Sequence, residues 1–151
     1  MLPPDAAWRL LLAAGLGTAI GLEREYRQKP AGLRTNILIA LGSALFTILS
    51  SLMGHQGGTA DRIAAQIVTG IGFLGGGAIM RSGKVVHGMT TAATIWVNAA
   101  IGMAAGAGQF MLATITAALT LAVLALLPPI EVYFERRAGW PDRHHDGPPD
   151  R

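Results

Sequence analysis

The chain of 151 residues contains no cysteine. Disulfides, thiolate metal sites and cysteine nucleophiles are therefore excluded, and the redox compartment cannot be read. Charge is also scarce. Asp, Glu, Lys and Arg make up 14% of the residues, against about 25% in ordinary soluble domains. The charges fall between long apolar runs, as backbone satisfaction in lipid demands. No ionisable residue lies in the middle of a run, so the relay expected of a proton-coupled transporter is missing. The acids near the runs are Glu23 and Glu25 towards one end and Asp61 towards the other, a poor basis for holding Mg²⁺ through carboxylates. His55 and His87 fall in loops, and no Ser/His/Asp grouping supports catalysis, so neither an enzyme nor a cofactor is expected. The basic residues form no stripe interleaved with aromatics, which argues against nucleic acid as a partner. The start, Met1-Leu-Pro-Pro-Asp5, has an acid and no base before Arg9. The first apolar run ends in Glu23-Arg24-Glu25 rather than a small-residue cleavage site, so it reads as a retained span and not a signal peptide.

What is present is apolar and small. Hydrophobic residues make up 51% of the chain, with twenty glycines. Five runs approach the roughly 20 residues that cross a bilayer: Ala6–Leu22, Thr35–Met53, Ile63–Met80, Thr90–Gly106 and Phe110–Leu127. The expected fold is an all-α integral membrane bundle of five transmembrane helices over residues 1–130. A charged tail follows at 131–151, disordered after about Gly139. Ala107-Gly108-Gln109 predicts a tight hairpin between the last two spans. Pro128 and Pro129 predict the end of the fifth, unless a tilted helix continues to Phe134. With five spans the termini lie on opposite sides. Ten of the twelve Lys and Arg residues then share one side, leaving Arg9 and Arg62 on the other. The positive-inside rule makes the crowded side cytoplasmic, with the N-terminus out and the C-terminus in. His144 and His145, adjacent in the tail, are expected to be solvated rather than metal-bound.

Three constellations stand out. Gly70-Ile-Gly72-Phe-Leu-Gly75 spells a dinucleotide fingerprint, but inside an apolar run it lacks the preceding strand that fingerprint needs. Helix packing is the expected role of these glycines, with Gly72–Gly76, Gly17–Gly21 and Gly102–Gly106 as G-x-x-x-G pairs. Leu at Gly72 or Gly76 is expected to disrupt assembly more than Leu at Gly17. The triplet Gly75-Gly-Gly77 leaves open a locally broken helix. Second, Thr90, Thr94, Asn98, Gly102 and Gly106 recur every four residues on one face. Asn98 should hydrogen-bond across helices, with Gln66 or Thr69 as expected partners, unless the stripe is a polar path or a partner-binding groove. Third, Glu23, Arg24 and Glu25 close the first run and Arg34 opens the second, which suggests a Glu23–Arg34 ion pair or a ligand role for Glu23.

Gly21-Leu-Glu-Arg-Glu25, Ala31-Gly-Leu-Arg-Thr35, Arg62-Ile-Ala-Ala-Gln66, Gly70-Ile-Gly-Phe-Leu-Gly75 and Gly88-Met-Thr-Thr91-Ala-Ala-Thr94, followed by Trp96, occur in order over about residues 15–110. In these blocks the chain resembles the MgtC/SapB family of bacterial membrane proteins. Longer members carry a soluble C-terminal domain after the bundle, and this sequence reads as a short form. The resemblance implies a multi-pass protein of the bacterial inner membrane with a role in magnesium homeostasis and growth at low magnesium. In some members it implies survival in hosts and modulation of other membrane proteins, including the ATP synthase and a P-type ATPase. The expected partners are the lipid bilayer, a second copy of the chain and other membrane transport proteins. The rival expectation is a small-solute or Mg²⁺ permease using the stripe around Asn98.

Overall fold

A computed structural model describes residues 3–54, 60–83 and 85–138 of the chain. The expectations placed on His55, Lys84, His144, His145 and the tail after Ala138 lie outside those residues, as do those on the side chains of Asp61 and Arg62.

The described residues form helices α1 (Ala6–Tyr26), α2 (Leu33–Gly54), α3 (Ala60–Gly77), α4 (Met89–Gly106) and α5 (Phe110–Ala138). Between α3 and α4 runs a small hairpin of β1 (Met80–Ser82) and β2 (Val85–His87), antiparallel with Arg81 opposite Val86. The all-α expectation thus holds apart from this hairpin, which replaces the expected basic loop. Among the described residues, three helices are long and apolar enough to cross a membrane: α1, α2 and α5 over Phe110–Phe134. The apolar part of α3 is shorter, Ile63–Gly77.

Two boundaries differ from expectation. α3 stops at Gly77 rather than Met80, because three successive glycines contribute little helix propensity to carry it on. It is continuous through Gly70–Gly77, with no break partway. α5 does not stop at its prolines but contains both Pro128 and Pro129. A proline inside a helix leaves unpaired the carbonyl four residues earlier. For Pro129 that carbonyl belongs to Ala125, and Arg27 Nη2 donates to it at 3.2 Å. The expected tight turn after α4 is present at Ala107–Gln109, where Gly108 takes φ +78°.

Small residues decide how the helices stack. A Cβ on Gly17 would lie 2.8 Å from the Asn36 carbonyl oxygen and 2.9 Å from Ala40 Cβ, so α1 and α2 meet backbone to backbone. α2 meets α4 in the same way and partly through the same residues, Ala40 under Gly102 and Ala44 under Gly106. These pairs, and Asn36 with Asn98, are each 62 residues apart, so α2 and α4 run parallel in one register. Ala40 and Ala44 are completely buried between them. A second apolar cluster, Ile39, Ile71, Ile95 and Ala99, fixes α3 against α2 and α4.

Candidate functional site

Two G-x-x-x-G pairs pack as expected, Gly17–Gly21 on α2 and Gly102–Gly106 on α2. The third does not. Gly72 and Gly76 are exposed and have no atom within 4 Å of an added Cβ, and Gly70 is equally open. Only Gly75 of this group faces a neighbour, with the Ala92 carbonyl 3.5 Å from its added Cβ. Among the described residues, the glycines of α3 therefore meet no packing neighbour apart from that contact. α3 reaches the bundle through Ile71 and Gly75, and the opposite face is left outward.

The polar stripe of α4 is buried over most of its length. Thr94 and Asn98 lie inside, Asn98 completely. Thr90 is exposed, and its neighbour Thr91 takes the inner position. Asn98 Nδ2 donates to the Asn36 carbonyl oxygen at 2.7 Å and to Asn36 Oδ1 at 3.1 Å. Asn36 Nδ2 in turn donates to the Ala31 carbonyl and, at 3.0 Å, to that of Gly32. The expectation of an interhelical amide clamp is met, but with the wrong partner. Gln66 is exposed, and the Thr69 hydroxyl donates within its own helix to the Ala65 carbonyl at 3.2 Å. The reason is rotational: α3 packs on the face of α4 carrying Ala92, Ile95 and Ala99, whereas Asn98 points to α2. Asn36, itself fully buried, went unnoticed in the sequence. Its signal was available: a lone amide where an apolar run begins.

The charged constellation is also rearranged. Arg34 is exposed, and no Glu23–Arg34 pair forms among the described residues. Glu23 Oε1 lies 2.7 Å from Arg27 Nε, one turn on along α1, where same-helix neighbours meet more readily than residues across a loop. Neither Glu23 oxygen has a hydrogen-bond partner of good geometry. Glu25 Oε2 accepts from the Leu33 amide at 3.1 Å, an acid at the start of α2 that complements its dipole. Arg24 is 4% exposed, and its Nη2 donates to Thr91 Oγ1 at 2.6 Å. At the far end of α1, Arg9 Nη1 donates to the Gly106 carbonyl at 2.9 Å and Nε to Asp5 Oδ2 at 3.0 Å. The two arginines thus bracket α4. Fifteen residues of helix between them span about 22 Å at 1.5 Å per residue, within a hydrocarbon layer of about 30 Å.

Beside this core, α2 and α3 enclose an apolar groove of about 610 Å³, whose walls include Thr35, Gly42, Phe46, Gln66, Gly70 and Leu74. Among the described residues no group of three or more His, Cys, Asp or Glu could hold a metal ion.

Comparison with known proteins places this architecture. A chain of Salmonella typhimurium named Protein MgtC is 58% identical over 101 residues, which cover 67% of this chain and 43% of that protein. Protein MgtC of Brucella abortus is 47% identical over 123 residues, 82% of this chain and 51% of its own. The Escherichia coli K12 protein named "Putative magnesium transporter YhiD" is 50% identical over 123 residues, 77% of this chain and 57% of its own. The chain thus spans about half the length of the curated relatives it matches. No solved structure gives a significant match. The family model described as MgtC family matches residues 10–133, and with the apolar helices around a buried amide clamp it identifies this all-α membrane chain as a member of the MgtC family.

Proposed function

We propose that the chain is a multi-pass protein of the bacterial inner membrane that serves magnesium homeostasis by contact with other membrane proteins, not by conducting the ion. All five helices cross the bilayer in this reading, with the N-terminus outside and the C-terminus in the cytoplasm. Two arginines of α1 set near the two ends of α4 support that span. The magnesium connection comes from the relatives, one of which carries it in its name. The observation that carries the mechanism is the fate of the polar stripe. Thr94 and Asn98 are enclosed between helices, and the Asn98 amide is occupied by Asn36. A path for a hydrated divalent ion needs water-lined polar walls, and the stripe is instead a clamp.

Contact surfaces are available on α3. The groove against α2 has Gly42 and Gly70 on its walls, both with open space above them. Small residues of this kind admit the close approach of another transmembrane helix. We assign the groove to a helix of a partner protein, with ATP synthase and P-type ATPases as the partner classes to test. The outward face of Gly72 and Gly76 goes to a second copy of the chain. Purified protein in sealed liposomes is expected to move no Mg²⁺. In cells it is expected to restore growth at low magnesium, whereas Gly42→Leu and Gly70→Leu, at positions where an added Cβ meets nothing within 4 Å, are expected to insert normally and fail to do so. Protein-dependent Mg²⁺ flux would instead establish the permease.

A further inference from the structure

The two arginines of α1 meet opposite ends of the same helix, and only one of them suits its end. Arg9 lies at the C-terminus of α4, where a cation complements the dipole, and Asp5 balances it. Arg24 lies at the N-terminus of α4, where the dipole is positive and a cation is opposed. No acid occupies the first turn of α4 and no side chain caps it. The first backbone bond there is Ala92 N–H to the Gly88 carbonyl, so the amides of Met89, Thr90 and Thr91 precede the helix ladder. Arg24 is 4% exposed, yet among the described residues its Nε has no acceptor; Glu23, the adjacent counter-charge, lies 2.7 Å from Arg27 Nε and makes no hydrogen bond of good geometry to either arginine. Buried charge of one sign, set against a helix end of the same sign, is costly unless a counter-charge joins it.

We infer that Arg24, the Thr91 hydroxyl and the uncapped first turn of α4 form a binding site for a phosphate-type oxyanion at the level of the basic interface. The chemistry is complementary. A tetrahedral oxyanion accepts charge-assisted bonds from a guanidinium and from helix-terminal amides together. Thr91 Oγ1 accepts from Arg24 and keeps its own proton to donate. Met89 and Thr90, which carry two of the free amides, are exposed. This site is separate from the groove between α2 and α3 and does not depend on the partner assigned there.

The oxyanion can arrive as a lipid headgroup or as free phosphate, and two arms separate these sources. In the first, native mass spectrometry of the full chain follows retention of phosphatidylglycerol against phosphatidylethanolamine. In the second, thermal unfolding in detergent compares inorganic phosphate with chloride at equal ionic strength. Selective retention of phosphatidylglycerol identifies the lipid, and selective stabilisation by phosphate identifies the free anion. Whichever anion binds, Arg24→Gln should weaken it about tenfold or more, the scale of one lost charged hydrogen bond. Arg34→Gln, which removes an exposed charge from the same interface, should leave it unchanged. Thr91→Val should weaken binding with Arg24 still present, and it decides the matter should Arg24→Gln fail to fold. Binding of neither anion, equal losses in Arg24→Gln and Arg34→Gln, or undiminished binding by Thr91→Val would overturn the site.

Discussion

At the scale of single residues, the amide pair at the centre of the bundle is where sequence and structure part most usefully. Asn98 stood out in the sequence because a buried amide in an apolar run must find a partner. Which partner depends on helix rotation, and the one-dimensional pattern does not contain it. Gln66 and Thr69 had suitable chemistry, but α3 approaches α4 from the wrong side. Asn36 lies one register pair above Ala40 and Gly102, so the amides meet because the small-residue seam sets them opposite. The contact is also directional. Asn98 donates twice from Nδ2, while its Oδ1 has no partner. Asn98→Leu should therefore cost on the order of 0.6 to 2 kcal/mol, the usual range for interhelical hydrogen bonds in membranes. Asn98→Asp should cost more than Asn98→Leu, since it removes the donor and brings a charge against the Asn36 oxygens. Unfolding in detergent measures the order, and an equal or milder effect of Asp would show that repulsion from the Asn36 oxygens adds nothing to the loss of the donor. Low-magnesium complementation, with expression checked, should fall in the same order.

At the scale of elements, the apolar runs, the hairpin at Ala107–Gln109 and two of the three glycine pairs were legible, because length and small-residue spacing state them directly. The glycines of α3 were misread for an instructive reason. G-x-x-x-G marks a face able to pack closely, but not whether that face meets its own chain. Gly17→Leu should then prevent the bundle from folding, since even a Cβ there collides with the α2 backbone. Gly72→Leu should leave the folded chain intact and change only association between copies. This reverses the order expected from glycine density, and crosslinking alongside detergent unfolding separates the two effects. The end of α5 was misread because a proline's cost depends on what satisfies the carbonyl it orphans. Arg27 serves Ala125 from another helix. The contact is exposed, so removing it should destabilise by about 0.5–1.5 kcal/mol, the usual net worth of a hydrogen bond. In a Pro129→Ala background the helix regains its own donor, so Arg27→Ala should cost clearly less. A double-mutant cycle reads this coupling directly, and additive effects would show that Arg27 does not support the proline break.

At the scale of the whole molecule, packing sorts the charges to the two ends of the bundle, and the proposed orientation rests on their asymmetry. The alternating helices carry Arg24, Arg27 and Arg34 to one end of the bundle, together with the starts of α2 and α4. Arg9 is carried to the other, beside the end of α4. Nothing in the packing alone says which end is cytoplasmic. The proposed orientation follows the asymmetry of basic residues, because loops rich in Lys and Arg are retained on the cytoplasmic side. Ten of twelve such residues fall on the Arg24 side when all five helices cross. If α3 and α4 did not cross, the α3–α4 hairpin would lie on the Arg9 side and carry Arg81 with it, at the expense of the Arg24–Thr91 contact. Cysteine labelling distinguishes these arrangements, since the chain has no cysteine of its own. In intact cells made permeable only at the outer membrane, an impermeant thiol reagent should label Asp5→Cys. It should reach Arg34→Cys and Arg81→Cys only after the inner membrane is opened. Labelling at position 81 but not 34 in intact cells would remove the α3–α4 crossing while leaving the first hairpin in place. Labelling at 34 and 81 but not at 5 would invert the whole bundle and put the oxyanion site of Arg24 on the outer face.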